Sequence, residues 1–218
     1  MGGPLIQLLV LAGIAIFVAF HLSSILGTRD GFEPNPEDDV ESKKSRRGFE
    51  VIEGGLDQDI SDHFDLDSAE AKALMSMKAA EPEFTVEEFM SGARQAYEMI
   101  LMAFENDDRD VLEQFLAEDV YEGFSAALDE RADKGLIVEA EFIGLRDIKM
   151  AGVTFDEAAK FAEVTMSFTG ELSSVVKDHD GKVVEGSKSE IKRQKDVWTF
   201  ARTMGADDPN WELVATGG

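Results

Sequence analysis

The chain contains no cysteine, which excludes disulfides, thiol catalysis and cysteine-ligated metals. Histidine is scarce: His21, His63 and His179 fall in an apolar segment, an acidic stretch and a turn. None stands at a metal-ligand spacing from another, so no metal is expected, and no motif points to a cofactor. Basic side chains are also few, 21 against 45 acidic, for a net charge of −24. A surface of that sign repels phosphate backbones, which excludes nucleic acid as the natural partner. It would attract basic segments of other proteins, or serve only to keep the protein soluble. The acidity is spread along the chain, −8 over residues 31–81 and −16 over residues 82–218.

One long apolar run is present. Leu5 to Leu26, "LIQLLVLAGIAIFVAFHLSSIL", carries no formal charge over 22 residues. As a helix it would span roughly 33 Å, enough for a bilayer core. No basic n-region precedes it and no clear small-residue cleavage site follows, so a retained transmembrane helix at 5–26 is expected rather than a signal peptide. Arg29, Lys43, Lys44, Arg46 and Arg47 all follow the run. The positive-inside rule then predicts a single-pass inner-membrane protein with its C-terminal domain in the cytoplasm and lipid around the N-terminal helix.

Residues 27–66 read as an acidic, disordered spacer, because "GFEPNPEDDVESKKSRRG" holds too few large apolar side chains to offset ordering entropy. The Ala-rich stretch at 67–81 predicts a short helix on which Leu74, Met75 and Met77 cluster, ended by Pro82. Thr85–Glu88, "TVEE", is a capping box, followed by Phe89, Ala93, Ala96, Tyr97, Ile100 and Phe104 at helical spacing. Val111, Leu112, Phe115 and Leu116 predict a second helix. Asp119 and Glu122 suggest another capping box, opening a third through Tyr121, Phe124 and Leu128, with Gly135 as its stop.

Beyond Gly135 the period changes to two. Ala162, Val164, Met166, Phe168 and Leu172 share a parity against Glu163, Thr165, Ser167, Thr169 and Glu171, the signature of a half-buried antiparallel strand. "KDHDGK" is a hairpin turn. Trp198 and Phe200 share a face, "GADDPN" turns the chain, and Trp211, Leu213 and Ala215 alternate back, which would bring the two tryptophans together. Helices first and strands after predict an α+β domain with a meander sheet covered on one face.

The stretches "SGARQAYEMILMAFENDDRDVLEQFLAEDVYEGFSAAL", "DVWTFAR" and "DPNWELVAT" resemble the domain of the mitochondrial inner-membrane import-motor scaffold, the Tim44-like family, and most closely its short membrane-anchored bacterial members. The resemblance covers about residues 83–216. It implies three N-terminal helices packed on a curved antiparallel sheet, cystatin-like or nuclear-transport-factor-like. It also implies a non-enzymatic role in protein translocation or membrane-protein assembly at a bacterial inner membrane, with translocase or chaperone components as partners. The long charged N-terminal region linked to chaperone recruitment in the mitochondrial scaffold is replaced here by one apolar run and a short spacer.

Three functions follow: an adaptor holding a basic client segment, a passive scaffold of a membrane complex, or an enzyme of the cone-shaped α+β class. An enzyme needs a tuned carboxylate or histidine in its cavity. Asp196, on the parity of Trp198 and Phe200, is the candidate, and Asp119 is read as a helix cap. For an adaptor, Tyr97, Phe104, Tyr121, Phe124, Trp198, Phe200 and Trp211 would line a groove, or else pack as plain core.

Overall fold

The computed structural model describes residues 57–217. The expected membrane helix at 5–26 and most of the expected spacer lie outside them. Among the described residues no helix is long and apolar enough to cross a membrane. Five helices come first: α1 (Gln58–Ser61), α2 (Ala69–Ala80), α3 (Val86–Glu105), α4 (Arg109–Phe115) and α5 (Glu118–Asp133). Four strands follow, β1 (Ile137–Asp156), β2 (Phe161–Lys177), β3 (Val183–Thr203) and β4 (Glu212–Gly217). They form one antiparallel sheet in the order β1-β2-β3-β4.

The helix starts are written in short polar side chains. Ser68 accepts from the Ala71 amide at 3.0 Å, Thr85 from Glu88 at 3.2 Å and Asp108 from Val111 at 3.2 Å, each satisfying a donor that the first turn leaves free. Asp59 adds a cap from a distance, its carboxylate accepting from Val86 at 2.8 Å and Glu87 at 3.0 Å. Helix α5 differs from expectation. Its N-cap is Ala117, without a side-chain cap, and Asp119 lies inside the first turn. Tertiary pairing moves the start: the Ala117 amide donates to the Leu213 carbonyl at 3.0 Å, and Leu116 bridges to Leu213. Asp119 therefore meets the positive end of the helix dipole rather than serving as cap. Gly135, at φ 62°, ends the helix in the left-handed conformation.

The end of the expected spacer belongs to the folded body. Ile60 is fully buried, and Lys78 pairs with Asp57 at 2.8 Å and Asp59 at 2.7 Å. One apolar residue in a polar stretch carries too weak a periodic signal to reveal this. On α2, Leu74 and Met77 are buried, whereas Met75 is 41% exposed.

Ala162, Val164, Met166 and Phe168 on β2 are fully buried beneath the helices, with Val153 on β1 and Trp198 and Phe200 on β3. The opposite face is polar, with Thr165 and Thr199 hydrogen-bonded at 3.0 Å. A straight strand of 20 residues would run for about 65 Å. Register shifts at Phe142/Gly144, Leu145/Asp147 and Met150/Gly152, and between Ser173 and Ser174 on β2, bend the sheet so that it wraps the helices.

The terminal hairpin departs from its expected pairing. Trp198 lies opposite Thr216, and Trp211 precedes β4 altogether. A shift between Thr199 and Phe200 places Leu213 opposite Phe200 but Ala215 opposite Thr199. A single extra residue, Val214, thus puts Ala215 on the polar face. The two tryptophans serve different clusters rather than clamping each other.

Candidate functional site

The first of these clusters is closed. Tyr97 is fully buried, stacked on Phe168 at 4.4 Å, with Trp198 at 4.8 Å and Phe142 at 6.2 Å. Gly170 makes room for it, since a Cβ there would lie 2.7 Å from the Tyr97 hydroxyl. That hydroxyl donates to Asp196 Oδ2 at 2.6 Å, and Gln194 donates to Asp196 Oδ1 at 3.0 Å. Burial pushes the Asp196 carboxyl up, and the bonds from Tyr97 and Gln194 only partly oppose it. Burial, with the Asp196 charge, also raises the Tyr97 hydroxyl, which stays a proton donor at neutral pH. Both Asp196 oxygens are thus occupied by the protein's own donors, and among the described residues no cluster of metal-ligating side chains forms. The arrangement satisfies a carboxylate inside an aromatic core.

The second cluster is open. Between the N-terminal half of α3, the turn at 81–85 and the segment 209–211 lies a cleft of about 400 Å³. Its floor is aromatic: Trp211 meets Phe89 at 4.7 Å and Phe84 at 6.2 Å, and Phe89 meets Phe200 at 6.4 Å. Phe115 and Ala93 complete it, while Glu81, Glu83 and Glu88 stand around it. Gly92 opens the wall on the α3 side, with nothing within 4 Å of where a Cβ would be.

One cation holds the cleft in shape. The Arg202 side chain, 8% exposed, donates to Glu81 Oε1 at 2.6 Å and to the Pro209 carbonyl at 3.1 Å. Its guanidinium lies 5.3 Å from the Trp211 ring centre, a cation–π contact. The second Glu81 oxygen accepts from the Gly205 amide at 2.7 Å. Burial works against ionising Glu81, but the Arg202 and Gly205 hydrogen bonds outweigh it and hold the carboxyl below its ordinary value. The nearby ion pairs use Asp57, Asp59 and Glu81. Glu83 and Glu88 stay exposed and unpaired among the described residues.

Of the seven aromatics expected from sequence, only Phe200 and Trp211 line this cleft. Tyr97 and Trp198 sit in the closed cluster. Phe104 pairs with Phe124 at 5.1 Å under Arg131, away from the cleft, and Tyr121 is half-buried on α5. Phe84, Phe89, Phe115 and Arg202 also line the cleft, and the sequence does not mark them as site residues. Phe89 and Phe115 carried only the helical periodicity of core, and nothing local marks Phe84 or Arg202.

A cleft of this form accepts an apolar side chain on its floor and a cationic one at its rim. No curated protein matches the sequence. Among solved structures, the crystal structure of the intermembrane space region of chloroplast protein ARC6 is similar at 15% identity, with a TM-score of 0.41, over 59% of this chain and 94% of that one. A family model described as the Tim44-like domain matches residues 70–218. The match covers well over half of the 218 residues, and the chain belongs to the Tim44-like domain family.

Proposed function

We propose that this protein is a membrane-anchored, non-enzymatic adaptor of protein translocation or membrane-protein assembly, holding basic, apolar segments of client or partner proteins in the cleft of its C-terminal domain. The Tim44-like family is a scaffold family of protein translocation in general. The observation behind this is the cleft, with an aromatic floor of Phe84, Phe89 and Trp211 and an exposed acidic rim of Glu83 and Glu88, unpaired among the described residues. An apolar anchor on the floor provides affinity, and the rim selects charge. The uncharged run Leu5–Leu26 supplies the membrane anchor, and the cation-rich segment after it sets the orientation. Asp196 is structural in this reading, its acceptors filled by Tyr97 and Gln194.

The test is photo-crosslinking in cells with p-benzoylphenylalanine at position 92, where the structure leaves open space. Adducts are expected with translocation or membrane-assembly components, through peptides rich in Lys or Arg beside large apolar residues. The same yield from a probe at Thr165, on the polar face of the sheet, would mean that the cleft is not the binding site.

A further inference from the structure

The cleft has a candidate occupant within the chain itself. Just before the described residues runs "KKSRRGFEVI", residues 43–52. It holds Lys43, Lys44, Arg46 and Arg47, four of the six basic residues between positions 31 and 81, and then Phe49, Val51 and Ile52. This is the chemistry the cleft selects. The described chain also begins beside it. Asp57 and Asp59 are tied to Lys78 on α2, and Asp59 caps α3 at Val86 and Glu87. Those amides adjoin Thr85 and Glu88, which line the cleft. Asp57 follows Arg47 by only ten positions, a reach of up to about 33 Å.

We infer that the basic segment 43–52 docks in the acidic aromatic cleft of its own domain, Phe49 on the floor and Arg46 and Arg47 at Glu83 and Glu88, so that a client binds by displacing it. The inference rests on the cleft being a site for basic, apolar segments. A tether of this length gives an effective concentration on the order of 1 mM. If the segment alone binds at about 0.1 mM, the tether weakens any competitor about ten-fold. Such a device would hold the floor covered until a client with a better anchor or more charge arrives.

The experiment uses the full chain in a neutral detergent and has two arms. In the first, p-benzoylphenylalanine replaces Phe49. Intrachain adducts to peptides containing Phe84–Phe89 or Trp211 are expected, at a yield independent of dilution. Adducts only to detergent, to added anionic lipid or to a second copy would overturn the inference. In the second, a fluorescent peptide copying residues 41–53 is titrated against the wild-type chain and against a variant with Lys43, Lys44, Arg46 and Arg47 all changed to Gln. The variant should bind the peptide about ten-fold more tightly. Equal binding to both chains removes self-docking and leaves the cleft as a site. Binding to neither removes the cleft reading as well.

Discussion

Replacing Arg202 by Met keeps the apolar stem against Trp211 and deletes the charge that ties three segments together. Glu81 loses its 2.6 Å partner and keeps only the Gly205 amide, and the Pro209 carbonyl loses its donor at 3.1 Å. Removing one partner of a buried ion pair costs about 3–5 kcal/mol. The Glu81 side chain is 23% exposed, so water screens part of the orphaned charge and the lower end applies, about 3 kcal/mol. For a domain of this size that lowers Tm by roughly 6–12 °C. Urea unfolding of the full chain in detergent, followed by circular dichroism, measures it; the midpoint should fall with the slope unchanged. The pH dependence gives a second readout. Glu81 is held below its ordinary 4.5, so its contribution is present above that value and lost as pH falls through the folded one. The gap between wild type and Arg202→Met should therefore narrow below about pH 4.5. Adding Glu81→Gln to Arg202→Met should recover part of the loss, because an amide leaves no unpaired charge. A loss under about 1 kcal/mol, constant with pH, would mean that the Arg202–Glu81 pair does not hold these segments together.

Three further substitutions probe the frame around the cleft. Tyr97→Phe removes the donor to Asp196 and should cost about 1.5–3 kcal/mol in urea unfolding. Asp196 is raised from 3.8, so its charge already opposes folding above that range; the variant, which raises it further, should regain stability on acidification. Asp59→Ala removes the second cap on α3, leaving Thr85, and one of the two partners of Lys78, costing about 1–2 kcal/mol, with faster hydrogen exchange at the Val86 and Glu87 amides. Because Asp59 is held below 3.8, the difference should fade as pH drops through that range. Gly170→Ala forces a Cβ to within 2.7 Å of the Tyr97 hydroxyl and should cost about 1–3 kcal/mol in the same assay.

What the sequence disclosed tracks the range of the physics involved. Local signals read well: the Thr85 cap, the Gly135 stop and the alternation of Ala162 to Phe168 all rest on a few adjacent residues. The sites that misled are those set by distant partners. Helix α5 opens at Ala117 because Leu213, nearly a hundred residues on, accepts its amide. Ile60 is core because α2 and α3 cover it, Trp211 stays outside β4 against Phe84 and Phe89, and a bulge at Val214 turns Ala215 to the polar face. The cleft was legible only through Phe200 and Trp211. Its organising contact, Arg202 to Glu81, spans 121 residues, and no periodicity within either segment encodes it.

The most direct test of the cleft as a binding site is Gly92→Arg. The position sits in the wall on an exposed turn of α3 with open space around it, and Arg is favoured over Gly in a helix by about 0.8 kcal/mol. The variant should fold at least as stably as wild type, while its side chain fills the cleft mouth and offsets Glu88. Titration of the fluorescent peptide of residues 41–53 is read in the background where Lys43, Lys44, Arg46 and Arg47 are Gln. The Kd should rise about ten-fold or more, a loss of about 1.4 kcal/mol, with Tm unchanged or higher. An unchanged Kd in a folded Gly92→Arg protein would contradict the cleft as the binding site.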